Sequence, residues 1–146
     1  MDKNEIEILL VEDNADDAAL AIRALKKQGM ADKLIHLKNG VEAIDYLFGK
    51  NNQHKLRKDH HPKVILLDLK MPMVDGMEVL EKVKSDPNTR SVPVVILTSS
   101  AEDPDIRKAY ELGANSYIVK PVEFDSFSKT VVDLGYYWIL MNKAHP

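Results

Sequence analysis

The amino-acid sequence predicts an α/β fold in which a doubly wound, five-stranded parallel sheet carries helices on both faces. Continuous apolar runs, which are typical of strands buried on both faces, recur along the chain. Amphipathic helical patterns that end at glycine or proline lie between these runs. Because strand and helix alternate five times, parallel strands joined by right-handed crossovers are favoured.

The elements follow in order along the chain. The apolar runs predict strands at residues 6–11, 34–37, 64–67, 92–97 and 117–119. The helical patterns between them cover residues 18–27, 41–48, 77–84 and 106–112, and the stop signals are Gly29, Gly49, Pro87 and Gly113. A last helix is predicted from the apolar pattern between residues 124 and 141.

Composition predicts one domain over residues 1–146 and excludes several classes of function. A chain of 146 residues with 45% apolar content can bury one core, and we expect no output domain. The net charge is −3 and the basic residues are dispersed, so no charged surface indicates nucleic acid or a membrane as partner. The absence of cysteine excludes disulfides and thiolate metal sites. With neither a signal peptide nor a membrane span in the sequence, we expect a cytoplasmic protein.

An extended polar loop is predicted at residues 50–62, between the second helix and the third strand. Its sequence is mostly basic and contains His54, His60 and His61. A solvated loop is the favoured interpretation, with a partner-recognition loop as the alternative. A histidine metal site is disfavoured because no carboxylate pair lies nearby in the sequence.

Charged and hydroxyl side chains follow four of the predicted strands. Glu12 and Asp13 follow the first strand, Asp68 the third, Thr98 the fourth and Lys120 the fifth. Since ligands of open parallel sheets bind beyond the carboxyl ends of the strands, we expect these side chains to lie together. Taken singly, three features have a structural alternative: Asp13 or Asn14 could cap the first helix, Thr98 could be a strand-end hydroxyl and Lys120 a surface amine.

Three carboxylates at one edge indicate a cation site, because carboxylates that lie close together resist joint ionisation unless a cation shares the site. Oxygen ligands without cysteine favour a hard divalent ion, and a small ligand set with open water positions favours Mg²⁺ over Ca²⁺. The first loop, VEDNADDA at residues 11–18, has four acids and no glycine. It therefore cannot cradle a phosphate directly as dinucleotide- and flavin-binding loops do.

A carboxylate, a divalent cation, a hydroxyl and a lysine together predict phosphoryl transfer. Asp68 would attack phosphorus and carry an acyl phosphate, Lys120 would neutralise the transferring oxygens, and Thr98 would hydrogen-bond one of them. Pro72 and Gly76 would shape the loop after Asp68.

Two metal-dependent enzymes are the alternatives. A metal-dependent phosphohydrolase with an aspartyl nucleophile is the first, but its D-x-D-x-[TV] motif after the first strand is not matched by VEDNA at residues 11–15. A metal nuclease or topoisomerase-like site with D-x-D is disfavoured because residue 70 is lysine.

These residues resemble the receiver domain of two-component response regulators over about residues 5–130. The separations of 30 positions from Asp68 to Thr98 and 52 from Asp68 to Lys120 match those between the family's phosphoacceptor, switch hydroxyl and phosphate-binding lysine. The family also has an acidic pair after the first strand, a D-x-x-M-P sequence such as residues 68–72, an aromatic residue such as Tyr117, and a cis bond between lysine and proline (residues 120–121). The resemblance implies a flavodoxin-like strand order 2-1-3-4-5.

The resemblance further implies a signalling switch rather than a conventional enzyme, one that catalyses only its own phosphorylation and dephosphorylation. A sensor histidine kinase would supply the phosphoryl group. Asp13, Asp68 and the backbone carbonyl of Lys70 would ligate Mg²⁺ or a substituting Mn²⁺, and Glu12 would act through water. Thr98 and Tyr117 would form the switch. The side chain of Lys70 would border the path of attacking water and so influence the phosphoryl lifetime.

The end of the chain suggests a subfamily and an interface. The loop at residues 50–62 and the segment DLGYYWILMNKAHP at residues 133–146 look like those of stand-alone receivers that partner phytochrome-type histidine kinases.

One apolar stripe of the last helix would dock on the sheet: Phe124, Phe127, Val131, Leu134, Trp138 and Met141. A second apolar stripe lies beside it and consists of Val132, Tyr136, Ile139 and Leu140. Together with Phe124, this stripe predicts the interface of a homodimer that phosphorylation would strengthen. Deeper burial of the helix is the alternative.

Overall fold

Five parallel strands form one sheet in the order β2-β1-β3-β4-β5. The computed structural model describes residues 8–27, 29, 32–49, 62–120, 129, 130 and 133. The strands are β1 (Ile8–Val11), β2 (Leu34–Leu37), β3 (Val64–Leu67), β4 (Val94–Thr98) and β5 (Ser116–Val119). The helices between them are α1 (Ala15–Lys27), α2 (Gly40–Phe48), α3 (Gly76–Ser85) and α4 (Asp103–Glu111). The predicted fold class and strand order are confirmed.

The central strands are continuous apolar runs because both faces of the sheet are covered. In β3, Ile65 and Leu67 pack with α2 and α3, whereas Val64 and Leu66 pack with α1. Every residue of β3 is therefore buried, which explains why the sequence shows no polar alternation there. The edge strand β2 is only half-buried.

Element ends differ from the predictions where side-chain caps or proline decide them. The first helix begins at Ala15 rather than residue 18, because the Asn14 side chain accepts a hydrogen bond from the Asp17 amide (2.9 Å) and so caps a polar first turn. The fourth strand begins at Val94 rather than residue 92. Val92 instead closes a turn by donating its amide to the Thr89 carbonyl (2.9 Å), and Pro93 has no amide to donate to a neighbouring strand.

Several predictions lie outside the described residues. These are the loop at residues 50–61, the proline at position 121 and the docking and interface stripes of the last helix. Within the described ranges, none of the helices combines the length and apolar character that crossing a membrane requires.

Candidate functional site

Asp68 lies immediately after β3 at the carboxyl edge of the sheet. Its amide donates to the carbonyl of Val11 (3.0 Å), which fixes its backbone against the neighbouring strand. The residue is only 5% exposed. Burying a carboxylate this deeply costs free energy unless hydrogen bonds or a cation compensate for the lost water.

Two further acids flank Asp68 on the loop after β1. One carboxylate oxygen each from Glu12, Asp13 and Asp68 lies within 4.8 Å of the others. Glu12 and Asp68 are buried, while Asp13 is exposed and reaches the same point from the solvent side. Because Asn14 supplies the cap of α1, Asp13 is not needed for capping. The predicted acidic cluster is therefore formed.

The acidic cluster has more negative charge than its surroundings balance. The pKa of the Glu12 carboxyl is raised to about 7, mainly by burial and secondly by a hydrogen bond with Asp68. The contact with Lys120 lowers the pKa and offsets these effects only in part. Three oxygen ligands with uncompensated charge and no sulfur or imidazole suit a hard divalent cation such as Mg²⁺. The residues present therefore fit the predicted metal.

Lys120 supplies the positive charge at this edge. Its Nζ lies 2.6 Å from Glu12 Oε1, 2.8 Å from Asp17 Oδ2 and 3.5 Å from Asp68 Oδ2. Burial lowers the pKa of the ammonium, but hydrogen bonds to Asp17 and Glu12 and the charge of Asp68 outweigh it and raise the pKa to about 12. Lys120 is thus a charged, largely buried site residue rather than a surface amine.

Thr98 ends β4, which is the neighbour of β3 on the side away from β1. The residue is fully buried, and its Oγ1 accepts a long hydrogen bond from the Ser100 amide (3.4 Å). Its carbonyl accepts from the Lys120 amide (2.8 Å), so the ends of β4 and β5 are held together beside the acidic cluster. The structure thus places the hydroxyl at the predicted edge.

The Tyr117 side chain connects β5 to the loop after β4. Its hydroxyl donates to the Ser100 carbonyl (2.8 Å), and its ring packs against the core on the α3 side of the sheet. Ser100 Oγ also donates to Asp105 of α4 (2.5 Å), and Lys70 Nζ lies 3.4 Å from the same Asp105 oxygen. The hydrogen bond from Ser100 and the Lys70 ammonium hold the pKa of the Asp105 carboxyl below its ordinary value.

The loop between β3 and α3 fits closely around Asp68. The Lys70 amide donates to Asp68 Oδ1 (3.3 Å), so the backbone at residue 70 lies beside the carboxylate. Met73 has a left-handed backbone (φ 66°) that the sequence did not reveal. A Cβ on Gly76 would overlap the Asp68 carbonyl oxygen, so glycine is required where α3 begins.

The predicted site residues Glu12, Asp13, Asp68, Thr98 and Lys120 therefore lie at one edge of the sheet, as expected. Sequence reasoning missed Asp17, Ser100 and Asp105, which contact the lysine, the tyrosine and the Lys70 side chain respectively. The four acids of residues 11–18 are visible in the sequence, but their pattern does not indicate which of them contacts Lys120.

Comparisons with known proteins agree with this geometry. The family model described as response regulator receiver domain matches residues 8–132. The probable methanogenesis regulatory protein FilR2 of Methanothrix harundinacea is 40% identical over 137 residues, covering 94% of this chain and 86% of that protein. Response regulator Rcp1 of Synechocystis is 36% identical over 132 residues, covering 90% and 88%.

Solved structures show the same likeness. The Mn²⁺-bound form of response regulator Rcp1 has a TM-score of 0.73 and 35% identity, covering 91% of this chain and 94% of that chain. The bacteriophytochrome response regulator RtBRR has a TM-score of 0.74 and 47% identity, covering 90% and 78%. The likeness thus extends over almost the whole of this chain.

Proposed function

The chain belongs to the response regulator receiver domain family, a class of phosphoacceptor signalling switches, and we propose that Asp68 is its phosphoacceptor. In this proposal a partner histidine kinase supplies the phosphoryl group in a Mg²⁺-dependent reaction. The protein is a regulator rather than a conventional enzyme. The observation that carries the proposal is the buried Asp68 carboxylate, which shares an acidic cluster with Glu12 and Asp13 and lies 3.5 Å from the Lys120 ammonium.

The residues of this site can perform the transfer. An Asp68 oxygen attacks phosphorus while the bond from phosphorus to the donor imidazole nitrogen breaks, giving an aspartyl phosphate and a free histidine. Lys120, already 3.5 Å from Asp68, offers positive charge to the transferring oxygens. When bound, the divalent cation neutralises charge on those same oxygens.

Four residues would hold that cation. Asp13, Asp68 and the backbone carbonyl of Lys70 would bind it directly, and Glu12 would bind it through water. The closeness of the three carboxylates supports this assignment, and the Mn²⁺-bound form of the relative Rcp1 is in accord with it. Mn²⁺ should substitute for Mg²⁺ because both take oxygen ligands.

Thr98 and Tyr117 would convert phosphorylation into a change of surface. A phosphoryl group adds about two negative charges and three acceptor oxygens, which would draw the Thr98 hydroxyl toward Asp68. Tyr117 would then leave the Ser100 carbonyl, to which it now donates, and enter the vacated space. The change would appear on the face formed by α4 and β5.

The proposed partner is a sensor histidine kinase of the phytochrome type. Support comes from the relatives, which include bacteriophytochrome and cyanobacterial phytochrome response regulators. We also propose a homodimer through Phe124, Val132, Tyr136, Ile139 and Leu140 of the last helix, on the apolar pattern alone. The single-domain organisation over residues 1–146 likewise stays a prediction.

Labelling with a small acyl phosphate tests the phosphoacceptor. With Mg²⁺, wild type should gain one acid-labile phosphoryl group, seen as a mass increase, and Asp68→Asn should gain none. Asp75→Asn is the matched control, because Asp75 lies in the same loop and an asparagine can still cap α3. Labelling of Asp68→Asn to the wild-type level would refute the assignment.

A further inference from the structure

Lys120 has an acidic partner outside the acidic cluster. Its Nζ makes two short contacts, to Glu12 (2.6 Å) and to Asp17 (2.8 Å), whereas Asp68 is 3.5 Å away. The two short contacts are charge-assisted hydrogen bonds, and the third is longer than such a bond. The ammonium is therefore held beside Asp68 rather than directly on it.

The backbone fixes both members of the Asp17–Lys120 pair. Asp17 lies in the first turn of α1, where its amide is bound by Asn14 and the helix dipole favours a carboxylate. Lys120 follows β5, and its amide donates to the carbonyl of Thr98 (2.8 Å). The pair thus joins α1 to the end of β5, and its two residues are 103 positions apart in sequence.

The position of the Lys120 ammonium makes Asp17 important for Asp68. An ammonium has three N–H groups, and two of them donate to Glu12 and Asp17, whose short contacts hold the Nζ atom 3.5 Å from Asp68. Without the Asp17 carboxylate, one of these two contacts is lost, and the ammonium can move closer to Asp68 and donate to it. An Asp68 oxygen that accepts from Lys120 has fewer lone pairs for a metal ion or for phosphorus.

We propose that Asp17 is a positioning residue that draws Lys120 away from Asp68 and so leaves an Asp68 oxygen open to the divalent cation. The inference rests on the proposed function, in which Asp68 ligates the cation and accepts phosphate. The side chain of Asp17 is 36% exposed and that of Lys120 only 12%. Asp17 is thus the partly hydrated member of the pair, and an asparagine fits its place without a loss of packing.

Mn²⁺ affinity, measured from the electron paramagnetic resonance signal of free Mn²⁺, tests the inference. Asp16→Asn is the matched control, because Asp16 carries the same charge on the same helical turn and is exposed. Asp17→Asn should bind Mn²⁺ about 3- to 10-fold more weakly than Asp16→Asn, the range expected from one partly buried ion pair. Asp17→Glu, which keeps the charge, should recover most of the affinity.

A double-mutant cycle with Lys120→Met shows whether Asp17 acts through the lysine. In the Lys120→Met background, Asp17→Asn and Asp16→Asn should have equal Mn²⁺ affinity. In the wild-type background, saturating Mn²⁺ should restore the rate of phosphate uptake of Asp17→Asn. Equal affinities of Asp17→Asn and Asp16→Asn in the wild-type background, or an undiminished loss in the Lys120→Met background, would overturn the inference.

The two proposals fail in distinguishable ways. The Mn²⁺ titration needs no phosphoryl donor, so it measures the effect of Asp17 on metal affinity independently of phosphoryl transfer. A wild-type protein that takes no phosphate on Asp68 refutes the proposed function. A wild-type protein that does take phosphate, with Asp17→Asn equal to Asp16→Asn in Mn²⁺ affinity, refutes only the role of Asp17.

Discussion

The buried carboxyl of Glu12 should make the metal-free protein less stable as the pH rises from 4.5 to about 7. Its pKa is 4.5 in the unfolded chain and about 7 in the folded protein. Between these values the folded state binds more protons than the unfolded state, so the free energy of unfolding falls as pH rises. Below pH 4.5 both states are protonated, and above pH 7 both are ionised, so the penalty is complete there.

The size of the effect follows from the two pKa values. At about 1.4 kcal/mol for each pH unit, a rise from 4.5 to about 7 corresponds to a penalty on the order of 3 kcal/mol. Glu12→Gln removes the titrating group at a similar volume. The variant should therefore become more stable than wild type as the pH rises above 4.5, and the difference should reach up to about 3 kcal/mol at pH 7 and above.

Urea denaturation in the presence of a chelator measures this difference. Wild type and Glu12→Gln are compared from pH 5 to pH 8, with Glu81→Gln on the exposed side of α3 as control. The control should follow the wild-type curve. The reasoning is refuted if Glu12→Gln also follows the wild-type curve, or if its advantage shrinks as the pH rises.

Three further predictions concern the loop, the switch and the assembly. In urea denaturation, Gly76→Ala should lower the free energy of unfolding by about 1–3 kcal/mol or more, because the new Cβ would overlap the Asp68 carbonyl. Gly29→Ala, whose Cβ would enter open space, should lower it by only about 1 kcal/mol, because its backbone is left-handed. Equal losses of stability in the two variants would contradict the steric argument. Thr98→Ala should still accept phosphate but lose the phosphate-dependent change in partner affinity. If the affinity of this variant changes on phosphorylation as much as that of wild type, the Thr98 hydroxyl is not the coupling group. Tyr136→Glu combined with Leu140→Glu should sediment as a folded monomer where wild type is a dimer, and monomeric wild type with and without phosphate would exclude the dimer.

Sequence predicted the sheet well because burial on both faces leaves a simple signal. The run Val64–Leu67 matches β3 at both ends, and each of its residues is buried. The same topology brings the carboxyl ends of parallel strands together, so Asp68 and Lys120 could be placed at one edge without knowledge of any contact. These features depend on apolar pattern and strand order, which a sequence contains directly.

The contacts that the sequence did not reveal depend on the orientation of a helix about its axis and on side-chain conformation. Asp16 and Asp17 are neighbours with the same chemistry, and only the orientation of α1 decides that residue 17 meets Lys120. The bonds from Tyr117 and Lys70 to the loop and helix after β4 depend on side-chain conformation in the same way. Such contacts join residues distant in sequence, and no periodic pattern marks them.

Reduction of the phosphorylated protein with borohydride tests the central claim most directly. Borohydride converts an aspartyl phosphate to homoserine, which peptide mass spectrometry locates in the sequence. After treatment with Mg²⁺ and a phosphoryl donor, homoserine should be found at position 68 and at no other aspartate, and omission of the metal should abolish it. Homoserine at Asp13 or Asp17 with Asp68 unmodified would contradict the account.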